Sequence, residues 1–138
     1  MNFELSEEQT LLAETIKRFV ATHYNFDARA KIIASPAGHS EDVWSAIAEM
    51  GLLGLPFAEE HGGFGGSTVD VMLVMEAIGE GLLVEPYLAT VGLGGRFVVR
   101  GGTKAQQDRI LPELVQGKHT LAFAHTERRA RRPTWRRS

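Results

Sequence analysis

Residues 67–81 constrain the fold more than any other stretch. Val71, Val74, Met75 and Ile78 share one helical face, and Val69, Met72 and Leu73 carry apolar character round the back. A helix apolar on most sides must be covered on most sides, which predicts a place in the middle of a bundle. The longest apolar run inside a helical stretch, residues 71–75, is far short of the roughly 20 residues that a membrane span needs, so no membrane partner is expected. Ser67 or Thr68 caps the start, and Gly79 and Gly81 end the helix.

The remainder is also patterned as helix. Ser6 with Gln9 forms a capping box, Glu7 and Glu8 lie in the first turn, and Leu12, Ile16, Phe19 and Val20 make one apolar face. This predicts a helix over 7–24, with a shorter piece over 27–34. After a break at 35–38, a helix starts at Ser40, buries Val43, Trp44, Ile47 and Ala48, and stops at Gly51. Residues 52–57 read as a buried connector and residues 61–66 as a glycine loop. Pro86 fits the first turn of a helix running to Arg100. Gly92, Gly94 and Gly95 inside it cost roughly 1 kcal/mol each against Ala, which implies that something packs very close there. Thr103 with Gln106 is a second capping box, and its helix passes Pro112 through a bend or restart and ends at Gly117. Residues 120–124 are short and apolar and could begin a strand, whose sheet other chain would complete. The expectation is an all-α bundle of about six helices with the start of a β-strand near residues 120–126.

Several chemistries are excluded. The chain has no cysteine, so disulfides, thiol catalysis and Cys-ligated metals are ruled out. Neither G-x-G-x-x-G nor G-x-x-x-x-G-K-[ST] occurs, so phosphate cradles of those kinds are missing. His61-Gly62-Gly63 lacks the G-x-S-x-G that a hydrolase oxyanion loop would accompany. The five histidines never fall at i, i+4 spacing, so no metal site is expected, and each reads as a solvated or capped side chain. The carboxylates are mostly first-turn helix charges without a paired acid–base constellation. The start is acidic and unlike a signal peptide, so a cytoplasmic location is expected.

The order of the segments resembles the acyl-CoA dehydrogenase family. Leu5-Ser6-Glu7-Glu8-Gln9, with Phe19 at its usual apolar place, looks like that family's start. Residues 51–66, running from Gly51-Leu52-Leu53-Gly54 through Glu59-Glu60-His61-Gly62-Gly63 to Gly65-Gly66, are similar to its G-L-x-G-x-x-x-P-E-E-Y-G-G-x-G motif, with His61 where Tyr is common. Gly102-Thr103-Lys104-Ala105-Gln106 through Leu111-Pro112-Glu113-Leu114 resembles its G-T-x-x-Q-K…x-L-P-x-L segment. The resemblance covers residues 3–127 and implies the family's N-terminal helical domain, an orthogonal helical bundle, with β-domain and C-terminal helices following.

What the resemblance implies for function is specific. The parent reaction is α,β-dehydrogenation of an acyl-CoA thioester in fatty acid metabolism, with FAD as cofactor and acyl-CoA as substrate. Phe123-Ala124-His125-Thr126-Glu127 matches the first half of the flavin-contacting strand, so the Phe123 and His125 backbones and the Thr126 hydroxyl are its cofactor-binding candidates. Ala89, Gly92 and Leu93 match the helix that limits acyl chain length; plain helix packing is the alternative for all three. Met72 and Leu73 are expected to face the domains that follow. No catalytic residue is assigned, because the family's glutamate base lies downstream. The chain alone is therefore expected to be inactive. The rival reading is a non-catalytic helical subunit of a heteromeric dehydrogenase, and homo- or hetero-oligomers with dehydrogenase subunits are the expected partners.

Charge divides the chain. Residues 1–127 hold 9 Lys/Arg against 17 Asp/Glu, whereas residues 128–138 hold six arginines and no acid. The basic end can bind an acidic surface, be a merely solvated tail, or be read from a shifted frame. The abrupt loss of the motif after Glu127 favours the last, and the want of a basic face elsewhere argues against nucleic acid. The expected organisation is a helical domain over 1–118, the start of the β-domain strand over 119–127 and a basic, disordered tail over 128–138.

Overall fold

The computed structural model describes residues 4–124, and among them it contains helices and no strand. Six α-helices follow in chain order: α1 Glu7–His23, α2 Phe26–Ala34, α3 Glu41–Glu49, α4 Thr68–Gly81, α5 Arg96–Gly101 and α6 Lys104–Val115. A 3₁₀ turn at Glu59–His61 precedes α4, and a π-helical segment, Leu88–Gly95, runs straight into α5.

The starts are set by side-chain caps. Ser6, Ser67 and Thr103 each accept from a backbone N–H three residues on, while Gln9, Asp70 and Gln106 return the bond to the cap's own N–H. Asn25 and Ser40 cap α2 and α3 in the simpler way. Each such cap is worth about 1 kcal/mol, because it satisfies an N–H that the helix cannot. Gly51, at φ +76°, turns the chain out of α3 as expected. α4 is ended by Leu82 at φ 53°, and Gly79 lies within the helix. α6 runs through Pro112; the missing N–H would have met the carbonyl of Asp108, an exposed residue that water can serve.

α1 lies along α4, and α6 closes the other side against α5, the π-helical segment and the 3₁₀ turn. Ile16 and Val20 of α1 with Tyr24 just after it, Trp44 and Ile47 of α3, and Leu111 and Leu114 of α6 meet in one core. The connector supplies Leu53 and Phe57, both essentially inaccessible. Full burial of a side chain of that kind contributes about 1.5–3 kcal/mol.

Of the two residues expected to face the domains that follow, Met72 is 52% exposed and Leu73 is buried; Val74 and Ala77 are buried as well, and Val69 is 40% exposed. Leu73 therefore belongs to the core face, and only Met72 and Val69 form an uncovered back. Residues 120–124 have no strand partner among the described residues and stay outside any ladder.

Candidate functional site

The expected site centres on the helix after Pro86, and its geometry departs from an ordinary α-helix. Residues 88–95 are wound as a π-helix, a rare form that recurs at functional sites. Its glycines are explained by what touches them. A Cβ on Gly95 would stand 2.5 Å from the Phe57 ring, and one on Gly94 would stand 2.5 Å from Leu121 Cβ. Both would collide with packed atoms, so the helix accepts the conformational cost of glycine to bring the connector and residue 121 close.

On the outer side, Gly92, Leu93, Arg96, Phe97 and Arg100 line an open hollow of about 280 Å³. Gly92 and Leu93, two of the acyl-pocket candidates, thus share one surface, while Ala89 lies a turn earlier and is half-buried. The hollow mixes an apolar floor with two guanidinium groups, and neither Arg96 nor Arg100 pairs with an acid among the described residues.

Beside the hollow runs the extended segment 120–124. The Phe123 ring stacks on Phe97 with centroids 4.3 Å apart and planes 13° from parallel. Phe123 remains 44% exposed, so the pair forms an aromatic ledge open on its outer side. Ala122 and Ala124 make no backbone hydrogen bond to another described residue. The aromatic pair thus adjoins the backbone donors and acceptors of residues 122 and 124. His125 and Thr126, the other flavin-contacting candidates, lie outside the described residues, as do the rest of the expected strand and the basic end.

Two clusters were not foreseen. His61 is 4% exposed and not a solvated side chain. Its Nε2 lies 3.2 Å from Glu60 Oε1 and its Nδ1 3.7 Å from Asp108 Oδ1, while Lys104 Nζ bridges the same carboxylates at 3.2 and 2.9 Å. The hydrogen bonds that Lys104 donates to Asp108 and Glu60 hold its ammonium above the ordinary range. This cluster ties the start of the glycine loop to α6. The second is Glu85, 5% exposed, whose Oε1 accepts from Ser40 N at 3.3 Å. Burial raises the neighbouring Tyr24 phenol above its ordinary range, the N–H that Val84 donates to it pulls the other way, and the Glu85 charge adds to the rise. Among the described residues no group of three His, Asp or Glu side chains is arranged for a metal, and no helix is long and apolar enough to cross a membrane.

The fold and the motif positions define a family. The model of the acyl-CoA dehydrogenase N-terminal domain matches residues 6–118, and the chain belongs to the acyl-CoA dehydrogenase family. A probable acyl-CoA dehydrogenase of Bacillus subtilis, YngJ, is 34% identical over 136 residues, covering 92% of this chain and 33% of the relative. Among solved structures, an acyl-CoA dehydrogenase complexed with FAD from Bacillus anthracis superposes with a TM-score of 0.81 at 27% identity, covering 91% of this chain and 21% of that one. A Tcur3481-Tcur3483 steroid ACAD variant gives 0.79 at 26% identity, covering 84% and 32%. The chain spans about a third of the length of the curated relatives it matches.

Proposed function

We propose that this chain supplies the helical wall and the first flavin-contacting segment of an FAD-dependent acyl-CoA dehydrogenase acting in the cytoplasm. The observation that carries the reading is the placement of the Phe97–Phe123 ledge beside the hollow on one glycine-rich helix. Residues 1–118 form the helical unit, 119–127 lead into the flavin-binding unit, and 128–138 are a basic extension.

In the parent reaction, bound FAD would supply the acceptor for the hydride that leaves the acyl β-carbon. The residues of this chain bind and orient. By the family resemblance, the backbones of Phe123 and His125 and the hydroxyl of Thr126 would hold the flavin ring edge through hydrogen bonds. Ala89, Gly92 and Leu93 wall the acyl chain, and the small side chains at 89 and 92 leave room for it. Orientation of this kind is the protein's contribution when a cofactor carries the chemistry.

The second reading is a non-catalytic helical subunit partnered with other dehydrogenase subunits. On either reading the chain alone reduces no electron acceptor with any acyl-CoA. Titrating the pure chain with FAD separates the two. Quenching of flavin fluorescence together with shifts in the Phe123 amide resonance supports the flavin-contacting role. A colourless protein that ignores FAD and co-purifies with a dehydrogenase subunit supports the partner role. Turnover of an acyl-CoA by the chain on its own contradicts both.

A further inference from the structure

The side of the glycine-rich helix facing residue 121 carries a set of contacts that matches an extended chain residue for residue. Thr90 is fully buried, and its Oγ1 lies 3.2 Å from Leu121 N and 3.4 Å from Leu121 O. One hydroxyl thus accepts from the N–H and donates to the C=O of a single residue. Those are the two bonds that a hydrogen-bonded strand neighbour would exchange with it. One turn on, Gly94 leaves the space that Leu121 Cβ fills. Beyond that, Phe97 stacks on Phe123.

Residues 90, 94 and 97 are spaced to share one helical face. Leu121 and Phe123 are spaced to share one side of an extended chain. The helix therefore offers polar, empty and aromatic positions in the order in which the segment uses them. A backbone pair at residue 121, left without partners in a half-buried place, would cost the desolvation of both groups. Thr90 removes that cost where no strand stands.

We propose that Thr90, Gly94 and Phe97 are positioning residues, forming a cradle that fixes the backbone of residues 121–123 and so sets where Phe123 is presented to the flavin. The proposal rests on the flavin-contacting role given above. Valine at 90 keeps the shape and loses both hydrogen bonds, whereas serine keeps the hydroxyl.

The test uses the full 138-residue chain as wild type, Thr90→Val and Thr90→Ser, followed by amide hydrogen exchange and resonance shifts. In Thr90→Val the Leu121 amide exchanges about tenfold faster, the scale set by the loss of one hydrogen bond. The Leu111 and Leu114 amides of α6 keep their protection, the Phe123 ring protons lose the shift imposed by Phe97, and Thr90→Ser restores both. An unchanged Leu121 rate in Thr90→Val overturns the cradle. So does an equal loss of protection at Leu111, because Thr90 would then serve the core in general. With FAD added, shifts of the Phe123 amide in wild type and Thr90→Ser that Thr90→Val lacks support the positioning role, and equal shifts in all three overturn it. No shift in wild type counts against the flavin-contacting role itself, and the cradle is then judged on the exchange rates.

Discussion

The Gln9 side chain joins the caps of two helices: its Oε1 accepts from Ser6 N at 3.1 Å, and its Nε2 donates to Asp70 Oδ1 at 3.0 Å. Asp70 in turn closes the cap of α4 through Ser67. The starts of α1 and α4, 61 residues apart in sequence, are thereby locked together.

Acid should weaken this lock before it weakens the core. Burial works against the Asp70 carboxylate, but the bonds from Ser67 and Gln9 outweigh it and hold its pKa below the ordinary value. The unfolded chain therefore takes up this proton at a higher pH than the folded one. The contribution of Asp70 is complete above the ordinary carboxylate range and is lost as pH falls through the depressed folded value. Urea midpoints measured across acid pH should fall more steeply for wild type than for Asp70→Asn. Parallel acid limbs would show that the lock carries no charge-dependent stability. At neutral pH, Asp70→Ala should cost about 1 kcal/mol as a lost cap.

Gly63 and Gly79 should respond oppositely to alanine. A Cβ at Gly63 would lie 2.2 Å from the Phe57 carbonyl oxygen and 2.6 Å from that of Gly54, both backbone atoms that cannot swing aside. Gly63→Ala should cost more than about 3 kcal/mol, in the range of severe lesions. Gly79 meets nothing within 4 Å inside α4, so Gly79→Ala should stabilise by about 0.5–1 kcal/mol. Thermal unfolding of both variants checks the pair, and a tolerated Gly63→Ala would mean that the glycine loop can move off the connector.

Replacing Glu85 should be felt at two places. Glu85→Ala deprives Ser40 N of its acceptor and should cost about 1–3 kcal/mol, the penalty for a buried group left unpaired. Glu85→Gln retains an acceptor and removes the charge beside Tyr24. In a spectrophotometric titration the Tyr24 phenol should then ionise at lower pH than in wild type. Tyr87, which burial alone pushes far up, should not follow it. A stationary Tyr24 transition would remove Glu85 as a cause of its shift.

The uncovered back of α4 should make the chain associate. Val69 and Met72 are exposed side by side on a helix whose other face is core. Light scattering at low micromolar concentration should give masses above the monomer, and Met72→Glu should lower them without changing helix content. A monomeric wild type that binds no hydrophobic dye would show that this back needs no cover.

Much of the fold was legible because helix starts are local chemistry. Ser6, Ser40, Ser67 and Thr103 announce themselves by residue type and by what stands three positions later. The buried faces of α1 and α3 follow from spacing alone. Leu73 was grouped with Met72 on the back of α4 because periodicity reports how apolar a face is and not whether a neighbour reaches it. The π-helical winding of residues 88–95 left no trace beyond its glycines, since a shift from four- to five-residue hydrogen bonding is settled by packing around it. The sequence reading inferred a close neighbour for these glycines, and the structure identifies Phe57 and Leu121. Of the candidate site, Gly92 and Leu93 fall together on the hollow, while Phe97 and Arg96, which line it too, were not singled out. His61 was read as a solvated or capped side chain and Glu85 was not singled out, because their partners Asp108 and Ser40 are distant in sequence. A histidine standing in place of a common tyrosine was the available signal that position 61 is enclosed.

Thr90 has a consequence for the order in which structure is acquired. A strand ordinarily takes its register from a neighbouring strand, and a slip of one residue turns every side chain to the wrong face. Here the phase of residues 121–123 is set by a helix that leaves the ribosome earlier, together with the layer that buries it. Any strand that later pairs with this segment meets a template already in phase, so the slowest decision in building a sheet, which residue faces which, is made before the sheet exists.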